Sequence, residues 1–246
     1  MDSSARVVAE LAGDRTRLTV LRGEAALLPR RTLATADDPA GGAVVHLVGG
    51  AAGPLGGDRL HLEVCVGPGA ELIVRTVAAS VALPGSGASR FTVRASVADG
   101  GYLAWLPEPV IAAGRCDHTL ESTVELLGDA RLVWREELVC GRYGEEPGDL
   151  LLATVVRRDG VSLLRQELAI GPRSPGWAGG AVLGGHRATG SLLRVGLPPP
   201  TAGPGPLAAH LTLAGGGVLT AAVAPDAVAL RQALAEGDGR PSAATE

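Results

Sequence analysis

The chemistry open to this chain starts from a short set of side chains. His61, Glu63 and Cys65 stand at i, i+2 and i+4, a spacing that in a strand puts an imidazole, a carboxylate and a thiol on one face. Cys116 and His118 make a second pair at the same spacing. Two such donors can approach one metal ion, but a structural site closes on four ligands in fixed geometry, and no such set is spelled out. The expectation is a solvated or pocket-facing set of polar groups with at most transient contact with a soft metal. Glu136 is more informative. On a strand it shares its face with Leu132, Trp134, Leu138 and Cys140. A carboxylate on an apolar face needs a partner or a polar cavity. Arg142 or Arg115 could pair with it in a buried salt bridge, and a water-filled passage could solvate it instead.

Residues 49–58 read Gly-Gly-Ala-Ala-Gly-Pro-Leu-Gly-Gly-Asp. A phosphate loop ends on Lys-Ser/Thr, which Gly57-Asp58 does not supply, and a dinucleotide fingerprint opens a helix where this stretch runs into a strand. A tightly turning connector fits, with Asp58 clasping or capping the turn. All 22 basic residues are arginine, so there is no Schiff-base lysine and no phosphate-loop lysine. No Gly-x-Ser-x-Gly element occurs, and Ser, His and Asp without geometry make no triad. A net charge of −4 and only six aromatic residues argue against nucleic-acid binding.

These side chains must be held by strands. The dominant period is two: in 59–66, Leu60, Leu62, Val64 and Val66 share one face and Arg59, His61, Glu63 and Cys65 the other. In 117–126, Leu120, Val124 and Leu126 alternate with Thr119, Glu121, Thr123 and Glu125. Further strands are expected at 7–11, 17–21, 44–48, 71–76, 90–97, 102–106, 132–139, 150–157, 162–170, 210–213 and 218–223. Gly67-Pro68-Gly69, Asp99-Gly100-Gly101, Gly128-Asp129 and Asp159-Gly160 supply turns between them. One helix is signalled: Pro225-Asp226 starts it, Ala227, Leu230 and Leu234 share a face, and Gly237 stops it. The pattern predicts an all-β stack in a single domain over 1–236, a proline-rich loop over 197–206 and a disordered tail over 237–246. Met1-Asp2-Ser3-Ser4 lacks the basic and apolar segments of a secretory signal. Charges interrupt every apolar run before a membrane span is reached, and three widely spaced cysteines fit reduced thiols. A cytoplasmic protein is expected.

Four ordered segments resemble one family. Gly49-Gly50 followed by Gly56-Gly57-Asp58-Arg59-Leu60 is similar to a "GG…GGD-x-L" element. Gly69-Ala70 with residues 75–80 is similar to "GA…TTQAATK". Residues 106–111, Leu-Pro-Glu-Pro-Val-Ile, are similar to "P-x-P-x-I/V". Ala130 through Glu136, then Gly141-Arg142 and Gly144-Glu145, are similar to "A-x-L…E…GR…GE". On these, over residues 44–171, the chain resembles the urease accessory protein UreD (UreH) family. It departs from the family pattern where Arg75 replaces the first Thr, Val77 the Gln and Val81 the Lys.

The resemblance implies an all-β fold of two stacked, crossed layers, partly β-helical, with one or two helices near the C-terminal part. It implies a scaffold without catalytic residues or tightly bound cofactor. Such a scaffold bridges apo-urease to UreF and, through UreF, to the GTPase UreG, and passes Ni²⁺ transiently along an internal passage. A passage needs polar walls without a deep trap. Glu136, Glu63 and Glu108 are the candidate passage residues; Asp58, Thr76, Arg142 and Glu145 are candidates for fixing loops; Leu230 and Leu234 are candidates for docking UreF. Two other classes fit the strand pattern: a β-rich binding module without metal traffic, and a hydrolase with an unrecognised site.

Overall fold

The computed structural model describes residues 1–36, 38–201 and 203–236. In chain order the elements are β1 (Asp2–Ala12), β2 (Arg15–Gly23), β3 (Leu28–Thr32), β4 (Ala43–Val48), β5 (Arg59–Val66), β6 (Glu71–Thr76), β7 (Ser80–Ala82), β8 (Ser89–Val97), β9 (Tyr102–Leu106), β10 (Val110–Ala112), β11 (Asp117–Leu126), β12 (Arg131–Cys140), β13 (Asp149–Arg158), β14 (Val161–Ile170), β15 (Ala188–Val195), β16 (Ala208–Thr212), β17 (Val218–Ala224) and α1 (Ala227–Glu236).

The strands form two sheets. One has the order β14-β13-β11-β8-β5-β1-β2; the other has β16-β17-β15-β12-β9-β6-β4-β3, with β7 and β10 continuing it beyond β12. From β4 to β13 the chain passes back and forth between them, so β5, β8, β11 and β13 lie parallel in one and β4, β6, β9 and β12 parallel in the other. The result is solenoid-like, with antiparallel strands closing each end. α1 is the one helix among the described residues, where the resemblance allows two.

Three of the four glycine turns are the corners of this coil. They stack: Gly69 N–H donates to the Asp99 carbonyl, and Asp129 N–H to the Asp99 carboxylate. Gly69, Gly100 and Gly128 occupy the same left-handed position in successive corners, with φ of 65°, 66° and 51°. Asp159-Gly160 differs, being the hairpin between β13 and β14.

Strand alternation sets the core. In β5 and β11 every second residue is buried, and these rows meet their counterparts from β6, β9 and β12 in one large apolar cluster between the sheets. Trp105 and Trp134, paired in register on β9 and β12, stack with centroids 5.2 Å apart.

Four strands are missing from the sequence reading: β3, β7, β10 and β15. β7 and β10 are three residues long, too short to show a period. β15 is buried on both faces because α1 lies over its outer side. A Cβ at Gly190 would stand 2.6 Å from the Glu136 carbonyl and 3.2 Å from Leu230, so glycine is what lets α1 approach. The expected tail, 237–246, falls outside the described residues.

Candidate functional site

A cavity of about 470 Å³ lies between the sheets where β5, β8 and β11 begin. Leu60, His118 and Leu152 line it from one sheet, Leu47, Trp105 and Glu136 from the other, and residues 49–54 and 76–81 form its rim. With Pro107, Glu108 and Val110 also in its lining, all four of the segments that carry the resemblance gather at one cavity.

Glu136 lies at the floor, 5% exposed. Its carboxylate accepts from the Thr154 hydroxyl at 2.7 and 2.8 Å, the Trp134 Nε1–H at 3.1 Å and the Ser122 hydroxyl at 3.2 Å. Ser122 on β11 and Thr154 on β13 are register partners, which brings two hydroxyls together beneath one carboxylate. The expected arginine partner is not there. Arg142 is engaged by Glu145, and Arg115 is exposed in the turn before β11 with φ of 63°. Glu136 is thus a buried carboxylate dressed by neutral donors, without an ion-pair partner among the described residues. The alternation of β11 and β13 places Ser122 and Thr154 on the inward face, a signal that could have found them.

His118 lies on the same inward face of β11 and is 2% exposed. Burial pushes its pKa down to about 4, with Asp117 opposing, so the ring is neutral. Ser89 Oγ stands 2.8 Å from its Nδ1.

The rim is built by close backbone packing. Asp58 accepts the Leu55 N–H at 2.9 Å and the terminal ammonium of Met1 at 2.7 Å. Burial raises its pKa, but these two donors outweigh burial and hold it below the ordinary value. A Cβ on Gly56 would lie 2.5 Å from the Gly85 nitrogen, so the loop ending at Asp58 rests directly on the loop after β7. Thr76 joins two rim segments: its Oγ1 accepts the Glu108 N–H at 2.8 Å and donates to the Ala78 carbonyl at 3.0 Å.

Glu108, also on the rim, is tied outward. Both its oxygens take Arg231 Nη1 of α1 at 3.0 Å, while Arg231 Nη2 reaches Glu137 at 2.6 Å. Glu137 is fully buried and also faces Arg135 Nε at 3.5 Å. The bond to Glu137 is the main cause raising the Arg231 pKa, with burial opposing and Glu108 adding. The Arg231–Glu137 link spans 94 residues, a separation that no local motif signals.

Other expected residues lie elsewhere. Glu63 points to the outer face of its sheet, half exposed and paired with Arg6 at 3.3 Å, because odd positions of β5 face away from the core. It does not join Glu136 in the interior. His61 and Cys65 share that outer face. Arg142 and Glu145 form a two-bond fork, both at 2.8 Å, which with the Gly114 N–H holds Glu145 down at about 2. Leu230 and Leu234 are 0% and 2% exposed, packed on Leu192, Ala222 and Ala224, so intramolecular packing consumes the face expected to dock a partner. The outward residues of α1 are Val228, 69% exposed, and Gln232. Burial pushes Cys116 and Cys140 each up to about 11, so both remain thiols. Among the described residues, no three His, Cys, Asp or Glu side chains gather to hold a metal ion, and no helix is long and apolar enough to cross a membrane.

Residues 1–238 match the family model described as UreD urease accessory protein. A urease accessory protein UreD of Parafrankia sp. is 46% identical over 252 residues, covering 90% of this chain and 82% of the relative. One of Streptomyces avermitilis is 46% identical over 230 residues, covering 90% and 89%. One of Frankia alni is 49% identical over 214 residues, covering 77% and 71%.

Proposed function

Because the chain belongs to the UreD family of urease accessory proteins, with a role in urease maturation, we propose that it is a cytoplasmic, non-catalytic scaffold that bridges apo-urease to UreF and UreG and passes Ni²⁺ through the interlayer cavity. The observation that carries this reading is Glu136: a carboxylate at a cavity floor, held by two hydroxyls and an indole rather than by arginine. An ion pair would cancel its field. Neutral donors leave a negative charge facing the cavity, which draws a cation in. A single carboxylate with hydroxyls does not hold a late first-row ion as thiolate or multi-imidazole sets do, so the ion can leave again. Glu108 at the rim already carries Arg231, and Glu63 lies outside; Glu136 is therefore the interior charge on which passage depends.

The test is Glu136→Leu, co-expressed with apo-urease and the partner proteins. Nickel per urease active site is expected to fall about tenfold while the complex still assembles. Unchanged nickel content with intact assembly would overturn the passage role of Glu136.

A further inference from the structure

Glu136 is met by two hydroxyls and an indole N–H in a cavity otherwise lined largely by apolar side chains, and oxygen donors alone do not discriminate Ni²⁺ from the far more abundant Mg²⁺. His118 changes that donor set. We infer that the Nε2 of His118 is a second station in the cavity and gives the passage its preference for late first-row divalent ions over Mg²⁺ and Ca²⁺. The inference rests on the passage reading above and adds the class of ion that is selected.

The neighbours fit the Nδ1–H tautomer. Ser89 Oγ lies 2.8 Å from His118 Nδ1 and 3.3 Å from the Asp117 carbonyl. In the Nδ1–H tautomer the hydroxyl proton goes to the Asp117 carbonyl and the serine oxygen accepts from Nδ1–H. That leaves Nε2 with its lone pair. Among the described residues nothing hydrogen-bonds Nε2, although the side chain is almost wholly buried and lines the cavity. An unprotonated imidazole nitrogen with a fixed ring and no protein partner is a metal donor of the type that suits Ni²⁺, Zn²⁺ and Cu²⁺.

The spacing sets the order of the two stations. His118 and Ser122, which bonds Glu136, are four residues apart on one face of β11. At about 3.3 Å per residue their Cα atoms are roughly 13 Å apart along the strand. An ion entering from the rim therefore meets a nitrogen donor first and a carboxylate deeper in. Cys116 and Cys140 do not line the cavity, so no thiol adds a trap there.

The experiment uses the isotope-labelled full chain with nickel chloride and magnesium chloride as probes. At pH 7, Ni²⁺ is expected to broaden the His118 ring signals and the Thr154 methyl signal, and tenfold excess Mg²⁺ is expected not to reverse this. In His118→Gln, the Ni²⁺ needed to broaden the Thr154 methyl should rise about tenfold, and Mg²⁺ should now compete. Broadening of Thr154 without His118 in the wild type would overturn the proposal with no variant needed, as would unaltered Ni²⁺-over-Mg²⁺ discrimination in a folded His118→Gln. Should Glu136→Leu lose urease nickel loading while His118→Gln keeps both loading and discrimination, the passage stands and the nitrogen station falls. Should no cavity signal broaden and neither variant alter loading, both fall.

Discussion

His118 on β11 and Glu136 on β12 show how one interior can hold a neutral imidazole and a carboxylate on facing sheets. Ser89, itself bonded to the Asp117 carbonyl, meets the ring at Nδ1 only, and burial keeps it neutral; three donors satisfy the carboxylate. This has a thermodynamic signature. The unfolded imidazole titrates at 6.5 and the folded one at about 4, so between those values the unfolded chain binds more protons. Stability therefore falls as pH drops from 6.5 to about 4, by about 3 kcal/mol for this group. Glu145 acts in the same direction but lower, since its support is present above 4.5 and is lost as pH falls toward 2. The window from 6.5 to 4.5 thus belongs to the histidine alone of these two. Denaturant melts of His118→Gln should lose most of the wild-type slope there and keep the steeper loss below it; an unchanged slope would show that His118 is not held neutral.

At the scale of elements, the cavity rim depends on loops that touch through backbone alone. Gly56 and Gly85 approach so closely that a methyl on either meets main-chain atoms at about 2.5 Å, and neither atom can swing away as a side chain would. Gly56→Ala is expected to cost roughly 1–3 kcal/mol by forcing the two loops apart. Gly180→Ala, with open space around its Cβ, should be close to neutral, and a thermal melt compares them directly. The same geometry explains how much was legible beforehand. β5 and β11 announce themselves because one face is wet and the other buried. β15 does not, because Gly190 and the overlying α1 erase the alternation. Glu136 stands out as a carboxylate among Leu132, Trp134 and Leu138, yet its partners come from β11 and β13, and only the parallel register brings Ser122 and Thr154 beneath it. The corner turns read correctly as turns, but nothing local to them says that the chain changes sheets there.

At the scale of the whole molecule, the back-and-forth path between sheets leaves two different ends: a loop-built cavity mouth, and an outer face of β12, β15 and β17 covered by α1. Arg231 connects them, bonding Glu108 at the rim and Glu137 beneath the helix. A partner that engages α1 therefore presses on a segment tied to the rim. Since Leu230 and Leu234 hold the helix down, such a partner meets Val228 and Gln232. The two faces of α1 make separable predictions. Leu230→Ala removes a fully buried side chain and should lower stability by about 2–5 kcal/mol, reducing capture of UreF only through loss of fold. Val228→Arg alters an exposed position, so its melt should stay within about 0.5 kcal/mol of wild type while co-purification with UreF falls. If the folded Val228→Arg protein captures UreF as fully as wild type, the outward face of α1 is not the docking element.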